Sequence, residues 1–151
     1  MKKKFAGYIN LKPLNGVIYP SSIQNILMKN FIENNLNGDF YLSPTEILQA
    51  RFSITLNTLI SNNTKVSGIV MLSCFLLPST INERFLIYKK SLVSKKKLYF
   101  IFDDLKLESK KDIEKVENFY IFNSDHFIKT KKKLNNFEDS FIKKYKDISF
   151  V

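Results

Sequence analysis

The chain has 151 residues, 44% of them hydrophobic, and a formal net charge of +10. This length fits one domain that buries about two-thirds of its unfolded surface, and no apolar run approaches the ~20 residues of a membrane span. These features predict a soluble cytoplasmic protein, and a single cysteine excludes an internal disulfide and a cysteine-cluster metal site.

Short apolar runs, each followed by polar residues, predict the strands in chain order. They are Phe5–Asn10, Phe40–Glu46, Val66–Cys74 and Leu98–Asp104, with a short edge segment at Leu105–Glu108. The third run is apolar almost throughout, which is typical of a central strand buried on both faces. Because helical stretches separate the runs, the order of elements predicts a mostly parallel sheet.

The intervening stretches have apolar residues at helical spacing. The first helix is capped by Ser21 or Ser22 and ends at Asn34 and Asn35. The others cover Ile47–Ile60, Ile81–Val93 and Lys110–Phe119. We therefore predict a single three-layer, Rossmann-like α/β domain with a mainly parallel sheet of four or five strands.

The pattern of charged and apolar residues changes after residue 122. A lysine run at Lys129–Lys133 precedes apolar residues at helical spacing. We predict an α/β domain over residues 1–122 and a C-terminal amphipathic helical extension over 123–151. This helix packs on the domain, on a second copy of the chain or on another protein of the same pathway. Acidic residues interrupt its basic face, which disfavours binding to a membrane surface.

The positive charge does not by itself indicate a nucleic-acid partner. All but two of the 24 basic residues are lysines, the exceptions being Arg51 and Arg84. Arginine is the residue that clamps phosphates and reads bases by paired hydrogen bonds, so this composition disfavours nucleic-acid binding.

The candidate site follows from the predicted sheet. Ligands of such sheets bind outside the carboxyl ends of the strands, so the polar residues there are the first candidates. Glu46 and Asp103 are the candidate acid/base residues, and Asp103 with Asp104 could also hold magnesium or simply cap a turn. The candidate ligand-binding residues are Gln24, Asn25, Ser43, Thr45, Ser73 and Arg84. Arg84 could instead pair with a nearby acidic residue.

Several chemical signatures are missing from the sequence. The four glycines are too scattered for a dinucleotide fingerprint or a phosphate loop, and no histidine-rich metal motif occurs. Classical nucleotide enzymes are therefore disfavoured, and the sequence does not identify a cofactor. Cys74 lies inside an apolar run and is interpreted as a buried structural thiol, and His126 as a solvated or half-packed side chain.

The motifs resemble the sporadic carbohydrate cluster proteins, small bacterial proteins encoded among genes for surface polysaccharides. The resemblance runs from about Phe5 to Tyr120. It is carried by Gly7-Tyr8, Pro20 with Gln24-Asn25, Ser43 with Thr45-Glu46, and Gly68-Ile69-Val70 followed by Ser73, Phe75, Leu77 and Pro78. It implies a role in making a lipopolysaccharide or capsule sugar, and it supplies no catalytic residues.

The layout is also similar, more distantly, to the catalytic domain of serine recombinases. A Gly-Tyr strand, a Gln early in the next helix and a Gly-Ile-Val strand occur in the same order. Where those enzymes carry a nucleophilic serine and arginines, this chain has Asn10, Leu11 and Lys12, and Cys74-Phe75-Leu76-Leu77-Pro78 after the third strand. The likeness therefore implies a resolvase-like fold without DNA strand exchange.

Two functional hypotheses remain. In the first, the protein binds a sugar phosphate or nucleotide-sugar at the carboxyl edge of the sheet, and whether it also acts on that ligand stays open. In the second, it is a non-catalytic module that assembles with another protein of the pathway.

Overall fold

The fold is described from a computed structural model, for residues 1–46, 53–61 and 64–124. The strands in chain order are β1 (Lys4–Gly7), β2 (Asp39–Leu42), β3 (Gly68–Met71), β4 (Lys97–Phe100) and β5 (Leu105–Leu107). The helices are α1 (Ser21–Asn35), α2 (Ile54–Ile60) and α3 (Ile81–Val93), with a short 3-10 turn at Cys74–Leu76. A fourth helix, α4, occupies residues 110–124, up to the end of the described chain.

The described strands form one five-stranded sheet in the order β2-β1-β3-β4-β5. The first four are parallel, and β5 pairs antiparallel with β4 at the edge, Phe100 opposite Leu105. Helical connections between parallel strands produce this pattern, whereas the short turn after β4 suits a hairpin. The predicted mainly parallel sheet and its short final edge segment are confirmed.

Strand β3 lies at the centre of the sheet, as its continuous apolar sequence predicts. All four of its residues are buried, and β1 and β4 flank it. Its backbone also approaches β4 closely, because a Cβ added at Gly68 would lie 2.7 Å from the carbonyl oxygen of Lys97. A side chain at this position would therefore push the two strands apart.

Each helix buries one apolar side. Helix α1 lies against β1, β2 and β3 with Met28 and Ile32 inside. Helix α2 contacts β3 and α3 through a buried side that includes Leu56 and Leu59. Helix α3 contacts α2 and β4 and buries Ile87. The domain core is therefore built from the strands and the inner sides of these helices.

The predicted helix caps differ from the observed ones. Pro20 is the N-cap of α1, and Ser21 and Ser22 already belong to the helix. At the start of α4, the Asp112 carboxylate accepts hydrogen bonds from the backbone N–H of Glu108 and of Ser109, at 2.8 and 3.0 Å. A side chain in the first turn of α4 thus accepts hydrogen bonds from the two residues that precede the helix, as in a capping box.

The chain divides into two compact units, Met1–Glu117 and Asn118–Val151. In the second unit, the described residues end at Ser124, and the Asn123 side chain donates to the carbonyl of Phe119 at 2.9 Å. The first part of the predicted second helix (47–52), Arg51, His126 and most of the predicted C-terminal extension (125–151) lie outside the described residues. Within the described residues, no helix has both the length and the apolar content that crossing a membrane requires.

Helix α3 ends in a Schellman motif with a lysine where glycine is usual. The N–H of Lys95 bonds to the carbonyl of Leu92 and that of Lys96 to the carbonyl of Ser91, at 3.2 and 3.0 Å. Lys95 has a φ of 54°, a left-handed conformation that costs a residue with a Cβ about 1 kcal/mol. We expect Lys95→Gly to raise the free energy of unfolding in urea by about 0.5–1 kcal/mol, and Lys95→Ala to give no such gain.

Candidate functional site

The site lies at the carboxyl edge of the sheet, where β1 and β3 are neighbours. From β1 the chain passes to β2 on one side and then returns to β3 on the other, so the strand order reverses direction here. Such a switch point leaves a crevice between the connections that follow the two strands. The residues after Gly7 and after Met71 are therefore placed where a ligand of this fold would bind.

Asn10 organises the chain that follows β1. Its side-chain oxygen accepts from the N–H of Lys12 at 2.9 Å, and its amide nitrogen donates to the Tyr8 hydroxyl at 3.1 Å and to the carbonyl of Leu76 at 3.5 Å. The amide of Gln24 donates to the carbonyl of Asn10 at 2.9 Å. These bonds tie the loop after β1 to α1 and to the segment after β3.

The Glu46 carboxylate caps helix α2. It is 6% exposed and accepts hydrogen bonds from the N–H of Thr55 and of Leu56, both at 3.1 Å. The Tyr8 hydroxyl donates to the same carboxylate at 3.0 Å, and burial together with the Glu46 charge raises the pKa of Tyr8. A negative charge at a helix amino end is favourable, and the N-cap Ser53 makes no side-chain cap of its own.

We therefore expect Glu46→Ala to lower the free energy of unfolding by about 2 kcal/mol, because two helix amides and the Tyr8 hydroxyl lose their acceptor. Urea denaturation measures the loss, with Glu33→Ala, which removes an exposed carboxylate from α1, as the matched control. Equal stability of the two variants would contradict the capping role.

Asp103, which follows β4, stabilises the turn after β3 in a similar way. Its carboxylate accepts from the Ser73 hydroxyl at 3.0 Å and from the N–H of Cys74 at 2.7 Å. Ser73 in turn accepts from the N–H of Phe75 at 3.2 Å. Cys74 is fully buried, and burial followed by the nearby Asp103 charge raises the pKa of its thiol. This arrangement corresponds to the capping alternative for Asp103 and holds the turn after β3.

Arg84 takes part in a buried ion pair. Its guanidinium donates to both carboxylate oxygens of Glu117, at 2.8 and 3.0 Å, and to the carbonyls of Pro78 and Ser79, at 3.2 and 2.8 Å. The Tyr88 hydroxyl donates to Glu117 at 2.7 Å. The sequence left two interpretations of Arg84 open, an anion-binding residue at the edge of the sheet or the partner of a nearby acid, and the observed ion pair corresponds to the second. The sequence did not identify Glu117, which lies 33 residues further on.

Three further residues were predicted to bind a ligand, and their surroundings differ from one another: Ser43, Thr45 and Asn25. The Ser43 hydroxyl donates to the carbonyl of Gly7, which joins the chain after β2 to β1. Thr45 is half-buried. Asn25 follows Gln24 on α1, and its side-chain oxygen is buried without a hydrogen-bond partner among the described residues.

Lys12 is the residue of this edge that sequence reasoning missed. Its ammonium donates to the carbonyl of Leu77 at 3.4 Å and so lies between the segments that follow β1 and β3. The position two residues beyond Asn10, directly after a predicted strand, was the available signal. It is easily overlooked because lysines are abundant throughout the chain.

No family model, curated protein or solved structure matches this chain. Within the described residues, no group of three or more histidine, cysteine, aspartate or glutamate side chains is placed to hold a metal ion. Among the described residues, the carboxyl edge offers an ammonium with spare donors and carboxylates that already accept backbone hydrogen bonds.

Proposed function

We propose that this protein binds a sugar phosphate or nucleotide-sugar at the carboxyl edge of its sheet, in the synthesis of a bacterial surface carbohydrate. The observation that carries the binding site is the reversal of strand order at β1, with polar side chains after β1, β2 and β3 at that edge. The carbohydrate assignment is supported by the motif resemblance alone. A cytoplasmic location is part of the same proposal, since nucleotide-sugars are made and used there.

We further propose a three-layer, Rossmann-like arrangement of the domain. Crossovers between parallel strands are almost always right-handed. Because β2 and β3 lie on opposite sides of β1, right-handed crossovers would put α1 on one face and α2 with α3 on the other. The observed contact between α2 and α3, and the position of α1 against β1 and β2, support this arrangement.

The hydrogen bonds favour binding over catalysis as the form of this function. An acid/base role for Glu46 or Asp103 requires a carboxylate free to exchange a proton with the ligand. Glu46 accepts from two helix amides and Tyr8, and Asp103 from the N–H of Cys74 and the Ser73 hydroxyl. Catalysis by either residue would thus compete with the bonds that hold α2 and the turn after β3.

A thermal-shift screen against sugar phosphates, nucleotide-sugars and the corresponding neutral sugars tests the proposal. A ligand present at about 100 times its Kd stabilises the folded state by about 2.7 kcal/mol, which raises the Tm measurably. Stabilisation by the phosphorylated compounds alone is the expected result. If none of them shifts the Tm, the alternative of a non-catalytic module that binds a pathway protein or a second copy is favoured.

A further inference from the structure

The contacts of Lys12 with the described residues are hydrogen bonds to neutral groups and not ion pairs. The bond from its N–H to the Asn10 side chain forms a tight turn directly after β1. The half-buried side chain then reaches across the switch point to the carbonyl of Leu77. At 3.4 Å this bond is long for an ammonium donor, and an ammonium has three donors.

The electrostatic surroundings of Lys12 are unfavourable to a cation. In the described part of the chain, no carboxylate lies within ion-pair distance of its ammonium. Burial, and after it the positive charge of Arg84, lowers the pKa of Lys12. Glu117 is already bonded to Arg84 on both oxygens. The edge of the sheet thus contains a half-buried positive charge that no carboxylate of the described residues neutralises.

Lys96 shows what a purely structural lysine looks like in the same fold. Its ammonium is buried and donates to the carbonyls of Leu59, Ser61 and Thr64 and to the Thr64 hydroxyl. Its donors are fully used, as expected for a buried polar group. The Lys12 ammonium is also partly buried, but among the described residues it donates a hydrogen bond to the carbonyl of Leu77 alone.

We propose that Lys12 is the anchor for an oxyanion, the phosphate or diphosphate group of the ligand bound at the switch point between β1 and β3. This rests on the proposed function for the location of the ligand and adds the residue that recognises its charge. An anion here would accept the spare N–H groups of Lys12 and supply the missing counter-charge. Charge-assisted bonds of this kind are stronger than neutral ones.

Removing the charge of Lys12 should weaken ligand binding without lowering the stability of the free protein. Lys12→Met keeps the aliphatic stem and removes the charge. Binding of inorganic pyrophosphate and of UDP-glucose should weaken roughly 10- to 100-fold, as for the loss of a hydrogen bond to a charged group. The Tm without ligand should stay equal or rise, because an unpaired half-buried charge near Arg84 is removed. A residue with only a structural role would lower the Tm when replaced.

The experiment is isothermal titration of both compounds into wild type, Lys12→Met and Lys89→Met, the last removing an exposed charge from α3 as matched control. Weaker binding in Lys12→Met alone is the expected result. Binding that is unchanged in Lys12→Met, or weakened equally in Lys89→Met, overturns the anchor and leaves the proposed function standing. Binding of pyrophosphate through Lys12 without binding of any sugar compound supports the anchor and overturns the proposed function. If wild type binds neither compound, both proposals fail.

Discussion

Glu117→Ala should be among the most destabilising single substitutions in the described domain, with a loss of about 3–5 kcal/mol in the free energy of unfolding. The Arg84 and Glu117 side chains are only 4% and 7% exposed. Without Glu117, the guanidinium keeps its charge in the interior but loses the carboxylate that accepts two of its hydrogen bonds, and the Tyr88 hydroxyl loses its acceptor. Urea denaturation followed by circular dichroism measures the loss.

Two further variants separate the buried charge from the loss of packing. Replacing both partners, as in Arg84→Met with Glu117→Leu, should recover much of the stability, since no unpaired charge remains. Glu108→Ala is the matched control. It removes a carboxylate that pairs with Lys97 at 3.5 Å on the surface, where such pairs contribute about 1 kcal/mol or less. If Glu117→Ala costs no more than Glu108→Ala, the buried pair does not stabilise the fold.

The pH dependence of stability gives a second readout for the same pair. Burial raises the pKa of Glu117, but the bonds from Arg84 and Tyr88 and the Arg84 charge outweigh it and bring this pKa below the usual 4.5. A carboxyl whose pKa is lowered by folding stabilises the protein above its unfolded pKa, and this contribution is lost as the pH falls through the folded pKa. Wild type should therefore lose more stability than Glu117→Gln on acidification below about pH 4.5.

The architecture of the sheet was predictable because it depends on local patterns. The apolar run that contains β3 indicates a strand buried on both faces, and the alternation of runs and helices implies parallel pairing. Polar residues after β1 and β3 were expected at one edge for the same reason. The sequence therefore located the candidate site without specifying what each residue does there.

The partners of these residues could not be predicted, since they depend on contacts between distant parts of the chain. Ser73 and Asp103 are 30 residues apart, and Arg84 and Glu117 are 33 apart. Nothing in the local pattern around Glu117 distinguishes it from a solvated helix residue. The sequence also does not distinguish three consecutive lysines, Lys95, Lys96 and Lys97, yet only Lys96 of the three is buried.

The residues at the carboxyl edge serve two different purposes. Glu46, Asp103 and Gln24 bond to backbone groups and hold the connections after the strands in place. Lys12, in contrast, has unused donors in the described structure. Groups of the first kind position the site, whereas groups of the second kind gain hydrogen bonds when a ligand arrives. Substitutions should thus affect stability at the former and binding at the latter.

The other large effect is expected for Lys96→Met. The Lys96 ammonium is bonded to the carbonyls of Leu59 and Thr64, at 3.0 and 2.9 Å, and to that of Ser61. These carbonyls lie in and after the last turn of α2, where helical carbonyls lack partners within the helix. A cation is favourable at the carboxyl end of a helix. Lys96 therefore both donates hydrogen bonds to these carbonyls and complements the helix dipole.

Methionine keeps the volume of the lysine stem but donates no hydrogen bond. Removing a buried charge recovers its desolvation cost, but three carbonyls lose a charge-assisted hydrogen bond. The Leu59 and Ser61 carbonyls keep the Thr64 hydroxyl as a donor, whereas the Thr64 carbonyl has no other donor among the described residues. A buried carbonyl left without a donor costs about 1–3 kcal/mol. We expect Lys96→Met to lower the free energy of unfolding by roughly 3 kcal/mol, and amide hydrogen exchange to accelerate first in α2. Lys97→Met, the adjacent lysine with a 47% exposed side chain, should change stability by about 1 kcal/mol or less. Similar losses in the two variants would show that the carbonyls of α2 find other donors, and that Lys96 does not hold the end of this helix.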